Sequence, residues 1–151
     1  PTVVLELHHI KFELTPAYVE YGMYYIPNGP SDWMYTDPDG FYSTLTECNV
    51  NNASKIKPVV RLLKHWNIQK NYRNMASFSL EKKIAEEMMY AYFGCTTYTD
   101  YLKKALNTIK YSTNYSRVDT AIGHIDAALN YEKQGLPYSA LLEIKKAFPE
   151  V

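Results

Sequence analysis

A change of period constrains this chain more than any other feature. Thr2-Val3-Val4-Leu5-Glu6-Leu7 is β-branched and apolar, and after His8-His9 the run Ile10-Lys11-Phe12-Glu13-Leu14 alternates strictly with period 2. That pattern predicts a β-hairpin. Ile10, Phe12 and Leu14 share one face, Lys11 and Glu13 the other, and Pro16 removes the next ladder donor. Past Ser54 the apolar spacing becomes helical and stays so to the end. The fold class this implies is α+β and mainly α, with a hairpin followed by five helices. A lone hairpin is marginal in water, and this one opens at residue 2 with no leader or initiator Met, so the sequence reads as beginning mid-protein.

Between the two regimes, residues 20–52 carry Pro27-Asn28-Gly29-Pro30 and Asp37-Pro38-Asp39-Gly40 interleaved with Tyr21, Tyr24, Tyr25, Trp33, Tyr35, Phe41 and Tyr42. The turn-formers predict a long irregular crossover with aromatic anchors. This places 1–53 as strands plus loop and 54–151 as a helical domain. The helices run from Lys55 to about Lys70, with Pro58 in the first turn, and from Ser77 or Ser79 to Phe93, closed by Gly94. Two more begin at Thr97-Tyr98-Thr99-Asp100 and Ser116-Arg117-Val118-Asp119, each a capping-box variant with an acid three residues after a hydroxyl. Gly135 closes the latter, and Pro137 opens a last helix to about Phe148.

Composition narrows the function classes. Sixteen basic and 16 acidic side chains cancel, so non-specific capture of nucleic acid by a long-range field is not indicated, and any charge-based site is local. With 151 residues, 46% of them apolar, the chain supports one core. No run approaches the ~20 apolar residues of a membrane span, and a cytoplasmic setting is the default expectation. Cys48 and Cys95 lack metal or disulfide spacing and read as reduced thiols. His8-His9 reads as a turn, His65 as a packing residue, and His124 stands alone.

In the first helix, Ile56, Val59, Val60, Leu63 and Asn67 form one stripe, and Lys57, Arg61 and Lys64 form a second roughly 110° away. The cations repel one another, and a bridging phosphate would relieve them; the plainer reading is a solvated basic face. The next helix opens Ser77-Phe78-Ser79-Leu80-Glu81, where hydroxyls and unpaired N–H groups gather at the positive end of the dipole. Phe78 offers a ring for base stacking. Alternatively Ser77 is an N-cap and Phe78 is core.

Three strings together carry a resemblance: Lys11-Phe12-Glu13-Leu14-Thr15-Pro16-Ala17-Tyr18, then Lys57-Pro58-Val59-Val60-Arg61-Leu62-Leu63-Lys64-His65-Trp66-Asn67, then Ser77-Phe78-Ser79-Leu80-Glu81. In order and spacing they resemble successive motifs of the oligoadenylate synthetase-like nucleotidyltransferases. That family includes the animal oligoadenylate synthetases, cyclic GMP-AMP synthase and bacterial relatives that make cyclic oligonucleotide signals. The resemblance covers roughly residues 1–95. It implies a β-sheet palm whose three carboxylates hold two Mg²⁺, and a helical domain that clamps ATP or another nucleoside triphosphate. By the match, Glu13 stands at the third carboxylate, where most relatives have Asp. Lys64 and Ser77 correspond to triphosphate contacts and Phe78 to the ring, usually Tyr, that stacks on the base. Second-messenger and antiviral-defence roles follow for the family.

The family's first two carboxylates lie in a Gly-Ser helix start followed by an Asp-x-Asp strand, ahead of the position of Glu13. The Asp-x-Asp present here, Asp37-Pro38-Asp39, lies downstream of Glu13 in a Pro/Gly turn. The expectation is therefore the C-terminal portion of a larger enzyme, missing its N-terminal palm segment and inert alone. Two rivals stand beside it: a non-catalytic nucleotide-sensing module, and a helical partner-binding domain with an incidental basic rail. Nucleic acid could serve such an enzyme as activator or acceptor.

Overall fold

The computed structural model describes residues 3–86 and 92–149. It is α+β and mainly helical, as the period change implies. Residues 1–42 and 43–151 form two compact units.

In the first unit, β1 (Val3–Leu7) and β2 (Ile10–Leu14) pair antiparallel, with Val3 opposite Leu14, Leu5 opposite Phe12 and Leu7 opposite Ile10. That register puts Val3, Leu5, Leu7, Ile10, Phe12 and Leu14 on one face and sets Val4 beside Glu13 and Glu6 beside Lys11 on the other. The expected aromatic crossover is different in kind. Its first half is a three-stranded antiparallel sheet of β3 (Tyr18–Glu20), β4 (Met23–Asn28) and β5 (Asp32–Thr36), in that order.

Cross-strand rings explain that sheet. Tyr18 faces Tyr25, which faces Tyr35, and Pro27 faces Trp33. Tyr18 stacks on Tyr25 at 5.1 Å between centroids and meets Trp33 edge-on at 4.8 Å. The turn between β3 and β4 is Tyr21-Gly22, both at positive φ (51° and 79°), the requirement of a tight two-residue hairpin. The second half of the expected loop is α1 (Pro38–Asn51). Asp37 accepts a 2.9 Å hydrogen bond from the Gly40 N–H, and Pro38 takes the first helical position, so the Asp-Pro-Asp-Gly string is a helix start rather than a free turn.

The second unit holds the core. α2 (Ile56–Gln69) buries Ile56, Val59, Val60, Leu63, Trp66 and Asn67, which is the expected stripe with Trp66 added. Lys55 at its N-cap provides no side-chain cap; instead Asn49 of α1 accepts the Lys57 N–H at 2.9 Å. α3 (Ser77–Glu86) buries Leu80, Ile84 and Ala85; its expected continuation through 87–91 lies outside the described residues, and Gly94 has a φ of 84°. α4 (Tyr98–Ile109), a 3-10 turn at Lys110–Ser112, α5 (Tyr115–Lys133) and α6 (Pro137–Ala147) complete the unit. Among the described residues no helix is long and apolar enough to cross a membrane.

The capping expectations divide. Thr97 and Asp100 form the full reciprocal box at the start of α4. Ser116 does not cap α5: Asn114 takes that position and accepts the Arg117 N–H at 3.2 Å, while Asp119 pairs with Lys110 at 2.6 Å. The N–H groups of Thr97 and Thr96 hold the Asp100 carboxyl down at about 2. A depressed carboxyl contributes stability above its unfolded value near 3.8 and loses it as the pH falls toward 2. The start of α4 is therefore expected to loosen across that window, and Asp100→Asn should flatten the acid limb of a thermal-melt series.

The connection between α2 and α3 is bound by asparagines. Asn67 donates to the Met75 carbonyl at 2.7 Å; Asn71 donates to Asn67 Oδ1 at 2.7 Å and to Thr113 Oγ1 at 2.6 Å. Both amides are buried. Tyr72 and Arg73 follow in left-handed conformations, with φ of 55° and 54°. The Arg117 guanidinium sits 4.4 Å over the Tyr72 ring and donates to the Asn71 carbonyl at 3.1 Å.

Candidate functional site

The candidate clamp lies where α2 runs beside the start of α3. Lys64 forms an ion pair with Glu81 of α3, and both side chains are largely withdrawn from solvent, at 33% and 17% exposure. Ser77 and Glu81 are four residues apart on α3 and share its face, so the pair sets Lys64 over the helix face that carries Ser77. The structure thus brings these two expected triphosphate contacts onto facing helices.

Ser77 is the first residue of α3 but not its cap. The Leu80 N–H bonds to the Ala76 carbonyl, which puts the cap position at Ala76 and leaves the Ser77 hydroxyl exposed at the positive end of the helix. Phe78 is 56% exposed, so the core reading does not describe it.

The rest of the rail is less uniform than its spacing implies. Lys57 donates from Nζ to Thr46 Oγ1 of α1 at 3.1 Å, and Arg61 is exposed. Mutual repulsion along the rail is relieved at Lys64 by Glu81. Periodicity could not reveal that partner, because it comes from another helix. His65 donates from Nε2 to the Pro149 carbonyl at 2.8 Å and serves as a tie to the chain's end region.

A polar cavity of about 460 Å³ also opens at the start of α3, on the opposite side of the helix from Ser77 and Glu81. Ser79, Lys82, Lys83 and Asn74 line it.

In the first unit, Glu13 lies exposed on the polar face of β2, 3.9 Å from the Lys11 ammonium. Magnesium needs several oxygen ligands in near-octahedral array. Among the described residues no group of three His, Cys, Asp or Glu side chains converges, so these residues alone do not make a two-ion site.

No protein-family model matches this sequence. The chain is similar to a probable cyclic nucleotide synthase of Bacillus cereus (strain VD146), with 26% identity over 97% of this chain and 53% of that protein. It spans about half the length of the curated relative it matches.

Proposed function

We propose that this chain is the nucleotide-clamping part of a nucleotidyltransferase that joins nucleoside triphosphates into an oligonucleotide signal. The observation that carries the reading is the ion pair of Lys64 on α2 with Glu81 on α3, one turn along the same helix face from Ser77, whose neighbour Phe78 exposes its ring. A triphosphate placed there meets a fixed cation, a hydroxyl and the N–H groups of a helix start, while its base has a π-face to lie against. The similarity to a probable cyclic nucleotide synthase supports the same class of chemistry.

In this reading Glu81 holds Lys64 in position until a ligand arrives, and the incoming phosphate exchanges one anionic partner for another. Glu13 is proposed as one carboxylate of the magnesium site; residues beyond those described here would supply the others. Residues 1–53 then belong to the palm and 54–151 to the clamp.

It follows that the 151-residue chain by itself should not turn over nucleoside triphosphates. Incubation with Mg²⁺ and mixed nucleoside triphosphates is expected to release no pyrophosphate. Release that disappears in Glu13→Gln would show that one described carboxylate suffices and would overturn this account. The single carboxylate also gives weight to a second reading, a nucleotide-sensing module that uses the same clamp without catalysis. A complete protein carrying this chain that binds ATP and never forms a phosphodiester would decide for the sensor.

A further inference from the structure

We propose that the helical unit carries a second anion site, for a small phosphate-bearing molecule, between the end of α2, the start of α5 and the last turn of α6. A cavity of about 280 Å³ opens there, close to the size range of small-ligand sites. Its floor includes the buried Trp66 and Ala121, and its walls carry the cations Lys70, Arg117 and Lys146.

Among the described residues the charge is not balanced from within. Asp119 and Asp126 of α5 are engaged elsewhere, by Lys110 at 2.6 Å and Lys103 at 2.5 Å. The acid that does reach this group is Glu143, which accepts from His124 Nδ1 at 2.7 Å and from Lys146 Nζ at 2.6 Å. Those two partners hold its carboxyl below the usual carboxylate range, so it stays charged and fixes Lys146 in place. Among the described residues, one carboxylate stands against three cations, a local positive excess. Lys70 makes no ion pair among the described residues and is exposed.

Arg117 is the oriented donor. Its guanidinium is pinned by the Asn71 carbonyl and the Tyr72 ring, and most of its five N–H donors remain for an oxyanion. It also lies in the first turn of α5, where the helix dipole disfavours a cation and no acidic side chain compensates it. An anion in the cavity would offset both effects.

The site is separate from the candidate clamp. At 100° per residue, Lys70 lies roughly 120–180° around α2 from Lys57, Arg61 and Lys64. An adjoining cavity of about 550 Å³ shares Lys70 and Lys146 and adds Lys145 and Ser139, which gives room for a molecule larger than a single phosphate.

Titration of the isotope-labelled chain with inorganic pyrophosphate, followed by amide NMR, tests the proposal. Saturable shifts centred on Lys70, Arg117, Ala121 and Ala147 are expected. Lys70→Glu should weaken binding roughly tenfold or more, whereas Lys104→Glu, the same charge change on exposed α4 surface, should leave it unchanged. Glu143→Gln removes the competing charge while keeping the shape and should strengthen binding. The proposal fails if no saturable binding occurs, if Lys104→Glu weakens binding as much as Lys70→Glu, or if the shifts centre on the Lys57–Lys64 face.

Discussion

Replacing Lys64 by Ala should weaken ATP binding by roughly 10- to 150-fold and leave adenosine binding nearly unchanged, the range expected for one charge-assisted contact to phosphate. The selectivity follows from position: Lys64 reaches the α3 face that carries Ser77, whereas the base would lie on Phe78. Phe78→Ala should therefore weaken ATP and adenosine alike, by about 1–3 kcal/mol of lost stacking. Glu81 adds a sign that a solvated basic face would not show. Because Glu81 pairs with Lys64, Glu81→Gln removes a rival anion and should tighten ATP binding. Calorimetric titration of ATP and adenosine against the three variants reads all of this. Equal ATP affinity in wild type and Lys64→Ala would end the clamp assignment.

The second large effect concerns stability. Asn67→Ala should cost about 2–3 kcal/mol, because the buried Met75 carbonyl and the Asn71 amide each lose a partner that water cannot replace. For a chain of this size that corresponds to a fall in Tm of roughly 5–10 °C. Thr113→Val, which removes only the outer end of the network, should cost less. A thermal melt of Asn67→Ala within about 0.5 kcal/mol of wild type would show that these bonds merely replace hydration at no net gain.

The sequence made some of this legible and hid the rest for physical reasons. The stripe of α2 was readable because burial on one helix face imposes a period, and Ile56, Val59, Val60, Leu63 and Asn67 are all buried. The β1–β2 hairpin was readable from strict alternation. The sheet of β3–β5 was not, because its strands are short, its rings lie on both faces, and a Tyr at positive φ announces no turn. Helix α1 was masked by Asp37, Pro38 and Gly40, residues that serve a helix start as readily as a loop. The helical period puts Asn67 on the buried stripe, but nothing in its spacing shows that it would hold a connection. The pairing of Lys64 with Glu81 depends on how two helices meet, which no single-helix pattern contains.

The left-handed pair Tyr72 and Arg73 has a consequence for how a ligand would be received. Neither residue favours that backbone state, and each costs about 1 kcal/mol or more to keep there. The asparagine bonds and the Arg117 stack hold the corner in that shape by contacts within the chain itself. The connection that leads into α3 is thus fixed by the fold's own bonds. A nucleotide arriving there would find the helix already preorganised, and little of its binding free energy would go to ordering the chain.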